Sequence, residues 1–220
     1  MPTTDAPTTP VKPRLRGVLH QYAFLVSLLT GAGLVLAAPT GRAMLAVTIY
    51  AISVSALFGV SALYHRVHWS PAARRWMGRL DHSMICVLIA GSFTPFGMLA
   101  LSGTFAVALL AIVWGGAVAG IGLHLLWYDA PKWLSAVLYV VLGWTGSAAV
   151  PQLAAHVGWT ATGLVGLGGV IYTAGAAVYA LRRPDPIPEV FGYHEVFHAL
   201  VIVAAVVQYA VVAVYVLPSA

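Results

Sequence analysis

Seven apolar stretches run the length of the chain, at roughly 18–38, 43–65, 81–101, 104–127, 133–150, 159–181 and 194–217. About twenty such residues, wound as a helix, cross a hydrocarbon core of about 30 Å. The breaks between them carry the turn formers and most of the charge: Pro39-Thr40-Gly41-Arg42, the basic stretch from Arg66 to Leu80, Ser102-Gly103, Tyr128 to Lys132, Pro151 with a short weakly polar stretch, and Arg182 to Glu189. The first run is too long for the apolar part of a signal peptide, and Pro39 after Ala37-Ala38 is a poor cleavage context. The pattern predicts an all-α integral membrane protein, a seven-transmembrane helix bundle over residues 17–220. Residues 1–16, with four prolines and little apolar content, read as a disordered basic tail.

Composition sharpens this. Hydrophobic residues make up 60% and charged residues 8% of the chain, whereas a soluble domain carries about 25% charged residues. The expected location is the cell membrane, with several crossings. Cys86 is the single cysteine, which excludes an intramolecular disulfide and any cysteine-built metal cluster. The net charge of +5 does not point to nucleic acid, because the basic residues sit beside the ends of apolar runs. Ten of the eleven lysines and arginines fall on one side of the seven spans and only Arg42 on the other. That asymmetry predicts a cytoplasmic N-terminus and an outside C-terminus. The outer loops are all short, which argues against capture of a folded protein ligand from outside. Tyr64, Trp69, Trp127, Trp133 and Trp159 fit interfacial belts. Gly116-x-x-x-Gly120 and the glycines at 163, 166, 168 and 169 offer surfaces for close helix approach, within the bundle or in a homo-oligomer.

With that topology, the second span ends inside and the third and seventh begin inside. His65, Asp81, His194 and His198 then share one layer near the inner boundary, with Ser61 one turn above His65 on the same helix face. His194 and His198 are four residues apart, so both rings can reach one ion. Ionisable groups at that depth are costly unless they pair or bind a metal. Three imidazoles without a thiolate suit Zn²⁺ and leave a fourth position for water, whose pKa the metal lowers towards about 7. Asp81 could orient that water or take its proton, and Ser61 could hydrogen-bond the water or an oxyanion.

Three motifs then carry a resemblance: Ser61-Ala62-Leu63-Tyr64-His65; Leu80-Asp81-His82-Ser83-Met84-Ile85 leading to Ala90-Gly91-Ser92-Phe93-Thr94-Pro95; and Phe191-Gly192-Tyr193-His194-Glu195-Val196-Phe197-His198. In this order they resemble the hemolysin III branch of the progestin and adipoQ receptor family, over about residues 18–217. The resemblance implies seven helices and a cytoplasm-facing zinc site held by His65, His194 and His198, with Asp81 and Ser61 beside the metal. It also implies kinship with ceramidase-like membrane hydrolases.

Other readings of these residues stay open. His194-Glu195-x-x-His198 matches the short zincin pattern, in which the glutamate is the general base. Asp81 could pair with Arg79 or cap the third helix, and Ser61 could bond back to its own helix. His82 reads as a residue supporting the site or as interfacial. His124 falls near the same layer without a family role, and His20, His68 and His156 read as interfacial. The function expected is a zinc-dependent hydrolase of a lipid amide or ester bond, with a membrane lipid as substrate or ligand. The alternatives are a membrane sensor with structural zinc and, less favoured by the one-sided clustering of polar groups, a cytolytic pore.

Overall fold

The computed structural model describes residues 12–127 and 129–220. Among these the chain is helical, and its one β feature is an isolated bridge between Ile187 and Phe191. The helices are α1 (Val18–Leu36), α2 (Gly41–Arg66), α3 (Pro71–Pro95), α4 (Gly103–Leu126), α5 (Lys132–Trp144), α6 (Val150–Leu181) and α7 (Tyr193–Val211). α3 and α7 each run on into a π-helical turn, Phe96–Ala100 and Val212–Val216.

Among the described residues, six segments are long and apolar enough to cross a membrane: Val18–Leu36, Gly41–Arg66, Pro71–Ala100, Gly103–Leu126, Lys132–Leu181 and Tyr193–Ser219. The fifth is a 50-residue run that joins two stretches the apolar pattern keeps apart. It is interrupted by a 3₁₀ turn over Thr145–Ala149 and again at Gly158, whose φ of 82° is closed to most side chains. The indole of Trp144 in α5 donates to the Thr173 hydroxyl of α6 at 3.0 Å.

Two expectations are corrected. The basic stretch after Arg66 is mostly helical, because the Ser70 hydroxyl accepts from the Ala73 amide and Pro71 opens the first turn, a strong start signal. Asp81 therefore sits in the body of α3 and does not cap it. Within the predicted tail, residues 12–16 are tied down: the Arg14 amide donates to the Glu189 carbonyl at 2.9 Å and the Leu15 amide to the Val190 carbonyl at 3.1 Å. The remainder of the tail, residues 1–11, lies outside the described residues.

The core is a seam of small and branched side chains packed around Tyr50, among them Val47, Cys86, Val113 and Val211, all essentially inaccessible. Small residues bring helices close within the chain. A Cβ at Gly120 would crowd the Cys86 sulfur of α3, and one at Gly116 would crowd Leu142 of α5. Gly91 is the tightest such position, since a methyl there would overlap the side chain of Ser53 on α2. Gly91→Val should destabilise the bundle by about 1–3 kcal/mol through overpacking. A lowered thermal midpoint in detergent checks this, and an unchanged midpoint would mean that α2 and α3 are not packed this closely.

Candidate metal centre

α2 delivers His65 in its last turn and α7 delivers His194 and His198 in its first two turns. All three rings are buried, and one nitrogen from each can be chosen so that the three atoms lie within 4.8 Å of one another. The Nε2 atoms of His65 and His194 are 3.1 Å apart, close to the separation of about 3.3 Å between two nitrogens on one tetrahedral zinc. The donor set thus fits a borderline metal that accepts nitrogen. Asp81 places Oδ2 at 3.9 Å from His65 Nε2, beyond hydrogen-bond length. Ser61, buried one turn from His65, lines the same cavity as the Asp81 carboxylate. The structure therefore brings His65, His194, His198, Asp81 and Ser61 to one end of the bundle, from three helices.

Glu195 is placed differently from a zincin base. It is 1% exposed, accepts the Gly192 amide at 2.9 Å and so caps the start of α7, and accepts the Arg16 guanidinium at 2.5 Å. Both its oxygens are engaged in fixing the start of α7 and the incoming N-terminal segment. Gly17, with φ 81°, lets that segment turn directly against His65, where a Cβ would clash. Lys12 donates to the His65 carbonyl, satisfying one of the free acceptors at the end of α2. Partial burial, together with Arg74, Arg66 and Arg16, holds the Lys12 ammonium below the usual lysine range.

Of the remaining histidines, His20 departs most from its interfacial reading. Its ring stacks on His198 with centroids 3.7 Å apart and planes 8° from parallel, and neither ring nitrogen has a partner of good hydrogen-bond geometry. The signal was available in the topology: α1 starts at the same end as His65, so a histidine in its first turn belongs to the same layer. His124 lies outside the three-histidine cluster. Its Nε2 meets the Tyr139 hydroxyl at 2.8 Å, and that hydroxyl also reaches the His82 carbonyl at 3.2 Å. His68 and His156 are exposed.

Two cavities meet at Asp81. One, of about 210 Å³, runs from His198, Ser61 and Asp81 to Phe96, Leu101 and Leu153, with almost wholly apolar walls. Along α3 the distance from Asp81 to Phe96 is about 22 Å at the helical rise. The other, of about 370 Å³, holds His65, His194, Lys12, Arg74 and Lys132 in its wall.

The family profile described as "Haemolysin-III related" matches residues 8–209. The chain belongs to that family. This haemolysin-III protein is 32% identical to "Hemolysin-3" of Bacillus cereus over 181 residues, 82% of this chain and 80% of that one. It is 33% identical to the "Hemolysin-3 homolog" of Bacillus subtilis (strain 168) over 188 residues, 84% and 83% of the two chains. A more distant similarity, 26% over 167 residues, covers 73% of this chain and 66% of the human "Monocyte to macrophage differentiation factor", in keeping with the progestin and adipoQ receptor kinship. No solved structure matches the chain at a significant level. Family and apolar helices together make this a multi-pass protein of the cell membrane.

Proposed function

We propose that this haemolysin-III protein is a zinc-dependent hydrolase of a lipid amide or ester bond, working near the cytoplasmic leaflet. The observation that carries the reading is the placement of the histidine cluster and Asp81 between an apolar cavity and a polar one. An amphiphile laid across that junction has its acyl chain in the first, its headgroup in the second and its carbonyl beside Asp81. His65, His194 and His198 would hold zinc, which when bound supplies Lewis acidity towards a carbonyl and towards water. Asp81, buried with Ser61 in the same cavity wall, takes the proton of the attacking water. It returns that proton to the departing amine or alkoxide as the C–N or C–O bond breaks. Ser61 keeps the carboxylate aimed, and the apolar walls exclude bulk water from the rest of the chain.

The reading includes seven crossings. The Lys132–Leu181 run is proposed to span twice, because Trp144 and Thr173 are bonded, yet 29 residues of straight helix would part them by about 43 Å. The polar cavity gathers Lys12, Arg74, Lys132 and His194 at one end, while Arg42 opens α2 at the other. The positive-inside rule then assigns the histidine end and the N-terminus to the cytoplasm.

A regulatory protein with structural zinc is the competing reading, since the three histidines tie α2 to α7. Asp81→Asn separates the two. A hydrolase should keep about one zinc per chain and lose at least about a hundredfold in turnover, the range of a missing general base. Release of fatty acid from a panel of lipid amides and esters is the measurement. Unchanged turnover in the variant would remove Asp81 as the base, and none in the native protein across the panel would favour the structural role.

A further inference from the structure

The polar cavity carries more cationic charge than the protein itself neutralises. Of the four cations in its wall, Arg16 is committed to Glu195. Among the described residues Lys12, Arg74 and Lys132 form no ion pair with a carboxylate. The carboxylates of the same wall are Asp81, on the side shared with the apolar cavity, and the exposed Asp129. The free cations are held by other means. The Arg74 guanidinium lies 5.3 Å from the centre of the Tyr64 ring. Lys132 Nζ lies 5.0 Å from the Tyr179 ring and 5.7 Å from the Tyr193 ring, and donates to the Tyr193 hydroxyl at 3.4 Å. Contacts with ring faces fix a cation's position while leaving most of its N–H donors unspent.

With Lys12, whose ammonium is held by the His65 carbonyl, Arg74 and Lys132 make three cations from the N-terminal segment, α3 and α5, which suit an anion with several acceptor oxygens and more than one negative charge better than they suit a lone carboxylate. The volume of about 370 Å³ leaves room for such a group with its linkage. We propose that this mouth binds a phosphate group through Lys12, Arg74 and Lys132, so that the lipid handled at the histidine site carries a phosphorylated headgroup. The identification of that lipid as a substrate rests on the hydrolase reading; the phosphate site itself does not.

The test uses the full chain, purified in a neutral detergent, with three probes followed by native mass spectrometry: dioctanoyl phosphatidic acid, dioctanoylglycerol and inorganic phosphate. Phosphatidic acid should bind at least about tenfold more tightly than dioctanoylglycerol, and Arg74→Gln and Lys132→Gln should each weaken it by about tenfold, the effect of losing one charge-assisted hydrogen bond. Arg75→Gln, the next residue of α3 and likewise exposed but outside the cavity wall, should change nothing. Inorganic phosphate that competes with the lipid at similar concentration marks a site for free phosphate; phosphatidic acid binding without such competition marks a headgroup site. Equal binding of phosphatidic acid and dioctanoylglycerol would overturn the proposal. So would an Arg75→Gln loss as large as that of Arg74→Gln, which would show attraction to the charged surface in general. Zinc content, read on the same samples, should stay constant in all variants. Absence of zinc from the native chain would defeat the hydrolase reading and leave the phosphate result standing.

Discussion

His65→Ala is expected to strip the protein of almost all its zinc, from about one ion per chain to a trace, when both forms are purified without chelators and analysed by elemental mass spectrometry. The size of the effect follows from the geometry. His65 is the sole contribution of α2 to a three-nitrogen cluster, and its Nε2 lies 3.1 Å from that of His194. Two imidazoles remain on α7, and Asp81, on α3, is 3.9 Å from His65 Nε2. Loss of an outer partner of a metal site costs about 10–100-fold in affinity, so loss of a direct ligand should exceed a hundredfold. His198→Ala should behave alike, and should also free the His20 ring stacked upon it. Native protein without metal would leave the three rings as buried packing and remove the hydrolase reading.

The second large effect is expected at Arg16. Its guanidinium lies 2.5 Å from a Glu195 carboxylate that is almost completely buried, and the arginine side chain itself is only 20% exposed. Removing one partner of a buried pair costs about 3–5 kcal/mol because the other charge is stranded, and solvent access to Arg16 lowers that to about 2–3 kcal/mol. Arg16→Ala should therefore lower the thermal midpoint markedly, followed by circular dichroism in detergent, and loosen zinc through the start of α7. Glu195→Gln should be milder, because it strands no fully buried charge, although its single amide oxygen can accept from only one of the Gly192 amide and the Arg16 guanidinium that the two carboxylate oxygens now serve. The double variant should recover part of the Arg16→Ala loss, as removing both members of a pair does. If Glu195→Gln instead abolished turnover with stability and zinc intact, Glu195 would be acting as the zincin pattern suggests and not as a capping residue.

These residues show how far the sequence could be read. The spacing of His194 and His198, the apolar run after them and the strong bias of lysine and arginine to alternate breaks were enough to name five candidate residues and to expect them in one layer, and the structure brings those five to one end of the bundle. Span lengths and charge placement are one-dimensional properties, and the bilayer turns apolar length directly into helices. The start of α3 was also written in the chain, in Ser70-Pro71, but the charged residues behind it outweighed that signal. They mark a helix that continues beyond the apolar stretch.

Sequence alone thus determined the membrane class, the family motifs and the candidate ligands, because each depends on residue type and local spacing. Only the tertiary structure decided what each polar group faces. It turned Glu195 away to Gly192 and Arg16, stacked His20 on His198, and bound His124 to Tyr139. It also laid the N-terminal segment across the end of α2 and set an apolar cavity and a cationic one on either side of Asp81. Partners drawn from residues up to 179 positions apart are fixed by how helices rotate and pack against one another, and that rotation is set by the summed contacts of all their faces.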